Sequence, residues 1–139
     1  LGSLFLARLP FKQDSNVLGN PLKMRGKVYR KGLGVHAYSR LDYDLSGGFQ
    51  KFQATIGLDD SARPVSAPGT APSTGTVVFR ILLDGKLLEE KPMSFSDRPL
   101  DLDLDIAGGS LLSLEVDFGG KDSNAALDRA NWCGARVIK

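Results

Sequence analysis

The chain has 139 residues, of which 42% are hydrophobic and 24% charged; this is globular composition with enough material for one core, and it argues against disorder. Lys and Arg total 18 against 16 Asp and Glu, a formal charge of +2, and no Lys/Arg run offers a phosphate-tracking stripe, so nucleic acid is not an expected partner. No apolar stretch approaches the ~20 residues of a membrane-spanning helix, so no membrane partner is expected either.

Along the chain the dominant hydrophobic period is two, the signature of half-buried strands. Short strand candidates come first, "LFLARL" from Leu4 and "KVYR" from Lys27. "KGLGVHAYSRLDYDL" then carries the single histidine, His36, in a glycine-softened stretch that passes into a strand with Leu41, Tyr43 and Leu45 on one face. "KFQATIGLD" places Phe52, Ala54, Ile56 and Leu58 inward, and "TVVFRILLD" does the same with Val77, Phe79, Ile81 and Leu83. "LDLDLDI" points Leu100, Leu102, Leu104 and Ile106 to a core, "LLSLEVDF" follows with Leu112, Leu114, Val116 and Phe118, and "CGARVI" from Cys133 closes the series.

Asp84-Gly85 is the strongest hairpin signal, while Gly47-Gly48, Gly108-Gly109 and Gly119-Gly120 mark further breaks. A single helical turn is expected at 125–128, and nowhere does a helical apolar spacing run for a dozen residues. The Pro/Ala/Ser/Thr/Gly-rich stretch 61–75 reads as a flexible surface loop inside one domain spanning 1–139. Many short strands at this spacing predict an all-β fold, an antiparallel β-sandwich, because one sheet alone would leave its apolar face wet. The start at Leu1 suggests a domain of a longer protein, and the lone Cys133 leaves no internal disulfide to form.

Catalysis finds little support. His36 is the one candidate imidazole base, and no Gly-x-Ser-x-Gly or other activated-nucleophile motif accompanies it. Most aspartates alternate along strands, where they read as a solvated face. "DLDLD" at 101–105 lacks the glycine and the closing glutamate of a calcium loop. The acidic loops holding Asp59 and Asp60, and Asp122, Asn124, Asp128 and Asn131, are better sources of hard oxygen ligands for one calcium ion. Trp132 can be read as a platform for a sugar ring or as a core anchor for the last strand. His36 can likewise be a ligand-binding group or a structural hydrogen-bonder.

These stretches fall into one ordered pattern: "GLGVHA", "YDL", "GLDD", a strand ending in Asp84-Gly85, and a closing "DRANWCGA". From about Leu22 to the C-terminus the chain resembles the NPCBM family of carbohydrate-binding modules, allied with family-51 modules. The resemblance implies a jelly-roll sandwich of the galactose-binding-domain-like type and a noncatalytic role. It also implies a glycan partner, galactoside-type first, with possible calcium at Asp122, Asn124 and Asp128. Other domains of a larger bacterial protein, and an extracellular, periplasmic or cell-surface location, are implied as well. Carried over residue by residue, His36, Asp59, Asp60, Asp128, Asn131 and Trp132 take the family's motif positions. Arg129 stands where the family has histidine, and "KDSNAAL" replaces its glycine-bearing acidic loop. The alternative reading is a structural or protein-interaction sandwich that has lost sugar binding. A hydrolase is the third.

Overall fold

The alternation read from the sequence folds into two five-stranded antiparallel sheets and a separate ribbon. The computed structural model describes residues 4–7, 11–13, 21–36, 38–46, 48–60, 76–94, 97–118 and 129–139. Its strands are β1 (Leu4–Ala7), β2 (Phe11–Gln13), β3 (Leu22–Met24), β4 (Lys27–Tyr29), β5 (Gly32–His36), β6 (Ser39–Asp44), β7 (Lys51–Leu58), β8 (Thr76–Leu83), β9 (Lys86–Ser94), β10 (Leu100–Asp105), β11 (Leu111–Phe118) and β12 (Arg129–Ile138). The first sheet runs β1-β6-β11-β8-β9, the second β10-β7-β12-β5-β2, and β3-β4 stands apart as a two-stranded ribbon. No helix occurs among the described residues.

The inward rows meet between the sheets as expected. Leu41, Tyr43, Leu45, Phe52, Ile56, Val77, Phe79, Ile81, Leu112, Leu114 and Val116 are all buried there. Trp132 lies at the centre, with Phe79 edge-on at 5.0 Å between ring centroids and Phe52 at 6.5 Å. Such edge-to-face pairs add to what burial alone contributes. The hairpin at Asp84-Gly85 forms with both residues at positive φ, 52° and 82°, which suits the twist of the flanking strands. Asp84 Oδ1 also accepts from Leu111 N at 2.8 Å, so the turn is tied to the next strand but one.

Three sequence expectations change. The glycine-softened stretch before His36 is itself strand β5. Strand β12 starts at Arg129 rather than Cys133, and a register shift between Cys133 and Arg136 breaks the alternation that periodicity relies on. Leu100 is 37% exposed at the start of β10, which is an edge strand of its sheet among the described residues. Strand β9 contains Pro92, tolerable because that strand is also an edge. The proposed loop 61–75 and helical turn 125–128 lie outside the described residues.

The outer faces differ. On the first sheet, Arg80 Nε meets Glu90 Oε2 at 2.7 Å, while its Nη1 meets Glu115 Oε1 at 2.8 Å and Asp117 Oδ2 at 2.9 Å. Hydrogen bonds to Glu90, Asp117 and Glu115 push the Arg80 pKa up, so this cation stays charged and occupied. Arg40 Nε is likewise engaged by Asp42 at 3.1 Å.

The second sheet instead carries the β3-β4 ribbon. Leu22 and Met24 are buried beside Cys133, with Tyr29 packed against them. This close seating requires glycine beneath it. Gly32, at φ +149°, would put a Cβ 2.9 Å from Cys133 Cα and from Leu22 Cδ1, and one at Gly57 would meet Met24 Sδ at 2.8 Å. Replacing Gly32 by alanine therefore combines backbone strain with a clash. We expect Gly32→Ala to lower stability by about 1–3 kcal/mol, read as a drop in the urea midpoint, whereas a neutral result would mean that the ribbon is not seated as described.

Candidate functional site

At one end of the second sheet three central strands stop together. Register pairs Arg129 with His36 and Ala130 with Leu58, so β5, β12 and β7 finish side by side. The connections from β5 to β6, from β7 to β8 and from β11 to β12 all pass between sheets from this end. That placement joins His36, Asp59, Asp60 and Arg129, which are distant in sequence.

Asp59 holds the end together. Its N–H donates to Arg129 O at 2.9 Å. Its Oδ1 accepts from Asn131 Nδ2 at 2.8 Å and from Lys23 N at 3.1 Å. Asp59 is 1% exposed and Asn131 0%, so the carboxylate is removed from water and depends on these donors. Asp60, half-buried, uses both oxygens on the ribbon's turn: Oδ1 accepts from Arg25 N at 2.8 Å and Oδ2 from Gly26 N at 3.0 Å. The adjacent acids thus clasp β3-β4 from its middle to its tip.

This geometry corrects part of the expected ligand set. Trp132 is fully buried between the sheets, so its ring offers no face to a sugar; the core-anchor reading is the one observed. Asp59 and Asn131 are buried too: Asn131 Nδ2 donates to Asp59 Oδ1, while Asn131 Oδ1 is buried with no hydrogen-bond partner among the described residues. Their alternation explains the split: Asn131 shares a face with Arg129 and lies toward the ribbon, while Trp132 points into the core. Asp60 and Arg129 retain partial exposure. Asp122, Asn124 and Asp128 lie outside the described residues, as does the side chain of His36.

Among the described residues no group of three or more His, Cys, Asp or Glu side chains is arranged to hold a metal. Asp59 and Asp60 face N–H donors, an environment suited to holding backbone rather than a cation. Cys133, 1% exposed beneath the ribbon, has its thiol pushed up to about 12 by burial and by the charge of Asp59. It stays a neutral, inaccessible thiol. A shallow groove of about 300 Å³ lies further along the same sheet, among Gln53, Thr55, Asp101, Asp103 and Arg136. Its Asp101 already accepts from Thr55 Oγ1 at 2.6 Å, and Arg136 Nη1 donates to Gly134 O at 2.9 Å.

The architecture is that of a sandwich-type carbohydrate-binding module. The chain belongs to the NPCBM/NEW2 domain family, whose model matches residues 7–138. It is 30% identical over 121 residues to the "Putative endo-alpha-N-acetylgalactosaminidase" of Renibacterium salmoninarum, covering 86% of this chain and 7% of that protein. Its fold is similar to the family-51 module CBM51-2 of Clostridium perfringens ZmpB, solved with the INT domains (TM-score 0.79, 25% identity, 97% of this chain and 30% of that one). The same module solved with GlcNAc gives a TM-score of 0.76 at 26% identity, covering 97% of this chain and 29% of that one. The CBM51 of Clostridium perfringens GH95, solved with methyl-galactose, shares the fold at TM-score 0.77 and 24% identity, covering 98% and 92%. The chain thus spans 7% of the curated relative's length and about 30% of the solved ZmpB chains. Modules of this kind bind sugar and are not themselves catalysts.

Trp132 is the single tryptophan, so its fluorescence reports the core directly. We expect weak acrylamide quenching in the folded state and no emission shift when sugar is added. A sugar-dependent blue shift would mean that the indole reaches the ligand after all.

Proposed function

We propose that the chain recognises a terminal galactoside or N-acetylhexosamine at the end of the sandwich where β5, β7 and β12 stop. The observation that supports this reading is the convergence there of Asp60, Arg129 and the strand end bearing His36, braced by the buried Asp59–Asn131 pair. Each Asp60 oxygen keeps a second lone pair for a sugar hydroxyl, and Arg129 supplies a planar donor fork. The ZmpB module with bound GlcNAc lends the sugar class. The resemblance to galactose-binding relatives lends the other. In this reading the module serves an extracellular or cell-surface bacterial protein by holding it on glycans, with avidity from repeated engagement.

A second reading, a structural or protein-docking sandwich without sugar binding, is favoured by one observation, the complete burial of Trp132. Calorimetry with galactose, N-acetylgalactosamine and GlcNAc separates the two. We expect weak, saturable binding of at least one sugar that falls about tenfold or more in Arg129→Ala and in His36→Ala, with little change in Tm. Silence across all three sugars and a glycan array would leave the docking reading standing.

Calcium belongs to the same proposal, with Asp122, Asn124 and Asp128 as the oxygen donors. Addition of calcium after EDTA treatment is expected to raise Tm through ligand linkage, and Asp128→Asn to abolish that rise. An unchanged Tm would remove calcium from this chain.

A further inference from the structure

Residues 21–36 contain Lys23, Arg25, Lys27, Arg30 and Lys31 and no acidic residue. Without these five the chain would hold 13 basic against 16 acidic residues, so the net positive charge of the protein resides in this one segment. In sequence Met24, Gly26 and Val28-Tyr29 interrupt them, leaving only Arg30 and Lys31 adjacent. One short hairpin holds three of them: β3 and β4 pair Lys23 with Val28 on the outward face and Lys27 with Met24 on the other, and Arg25 lies in the two-residue turn between. All five are exposed. Arg40 and Arg80 on the other sheet are consumed by carboxylates, whereas Lys23, Arg25, Lys27 and Arg30 form no ion pair among the described residues. Lys27 Nζ instead rests 5.0 Å above the Tyr29 ring.

The turn itself is informative. Arg25 sits at φ 52° and Gly26 at φ 83°, a pair of left-handed residues where Asn-Gly or Asp-Gly is the usual choice. An arginine there carries local strain that a different residue would avoid. Asp60 offsets the strain by gripping both turn N–H groups, leaving the guanidinium outward. The same carboxylate anchors the ribbon tip to the proposed sugar-binding end, and Val28, 55% exposed, supplies an apolar patch between the charges.

We propose that the β3-β4 ribbon is an anion-recognising arm of the sugar site, selecting glycans in which the recognised galactoside or hexosamine carries an acidic substituent, either a carboxylate-bearing sugar or a sulfate ester. This rests on the sugar-binding reading above and narrows its ligand class. Strands of three residues extend about 10 Å, enough to address one or two anionic substituents but too short to follow a phosphate backbone. Exposed cations act within a screening length of about 8 Å at physiological salt, so the arm adds selectivity while the loops supply the sugar contacts.

The test titrates the whole domain with lactose, 3′-sialyllactose, 3′-sulfated lactose and single-stranded DNA, at low and at physiological salt. The variant carries K23Q, R25N and K27Q; asparagine suits the left-handed turn, so the ribbon is expected to stay folded, as a retained melting transition would verify. The expected result is a roughly tenfold preference for the acidic lactoses over lactose, weakened by salt and reduced to near parity in the variant, with lactose affinity unchanged. The sialyl and sulfate arms separate carboxylate from sulfate as the favoured group. Equal binding of lactose and both acidic forms overturns this inference and leaves sugar recognition intact. DNA bound as tightly as sialyllactose also overturns it, in favour of a general polyanion surface. Failure of every sugar arm overturns both readings.

Discussion

A buried carboxylate, Asp59, is the point on which the functional end depends. Its Oδ1 joins Asn131 of β12 to Lys23 of the ribbon, while its backbone N–H joins β7 to β12 through Arg129. Taking a carboxylate out of water is costly unless charge-assisted hydrogen bonds replace its hydration, and here two donors from different elements do so. The arrangement therefore acts as a lock: the carboxylate is tolerable only with the ribbon and the last strand both in place. Without it β3-β4, a pair of three-residue strands, would have too little surface of its own to stay seated.

The ribbon explains glycines that otherwise look like loop punctuation. Gly32 and Gly57 lie beneath Leu22 and Met24, so the "GLG" before His36 marks close contact rather than irregular chain. The same contact seals Cys133 and accounts for its raised thiol pKa. Two hairpin turns built alike, Arg25-Gly26 and Asp84-Gly85, do different work. Asp84 turns its own carboxylate back onto the start of β11, whereas the Arg25 turn is held by a carboxylate from another element. An acidic residue in place of Arg25 would sit close to Asp60, so the turn's sequence and its clasp match in charge.

Period-two alternation was enough to read most of the sandwich, because Leu41 to Leu45, Phe52 to Leu58 and Leu112 to Val116 each turn their large apolar residues to one face, even where the other face is also buried, as at Asp42, Ser113 and Glu115. It failed where a local rule is broken for a tertiary reason. In β5 the positions alternating with Leu33 and Val35 begin with Gly32, packed under the ribbon, and Gly34, so no polar outer face marks the strand in the sequence. In β12 the shift between Cys133 and Arg136 resets the pattern. The motif positions His36, Asp59, Asp60 and Arg129 were legible in the sequence, and the register of β5, β7 and β12 puts these strand ends side by side. What the motif could not convey is which of them face outward, since burial depends on a ribbon whose pairing is invisible to periodicity.

That distinction bears on how sugar preference arises. The "GLDD" and "NW" segments look like ligand motifs, yet Asp59, Asn131 and Trp132 are enclosed; Asp59 Oδ1 holds Asn131 Nδ2, while Asn131 Oδ1 and Trp132 Nε1 have no hydrogen-bond partner among the described residues. Side chains buried for folding can be shared by two modules that grip different sugars, because they fix where the loops begin and not what the loops present. On the readings proposed above, selectivity comes from groups free to vary without unfolding the sandwich: Arg129 at the strand end and the cations of the ribbon. Arg129 in place of an imidazole changes both charge and hydrogen-bond geometry at a position whose backbone is held by the Asp59 N–H, so the change of side chain leaves that backbone bond in place. If the ribbon reads acidic substituents as proposed, a frame locked by buried polar bonds and a rim that tolerates charge changes would together let one fold move between neutral and acidic glycans without a new core.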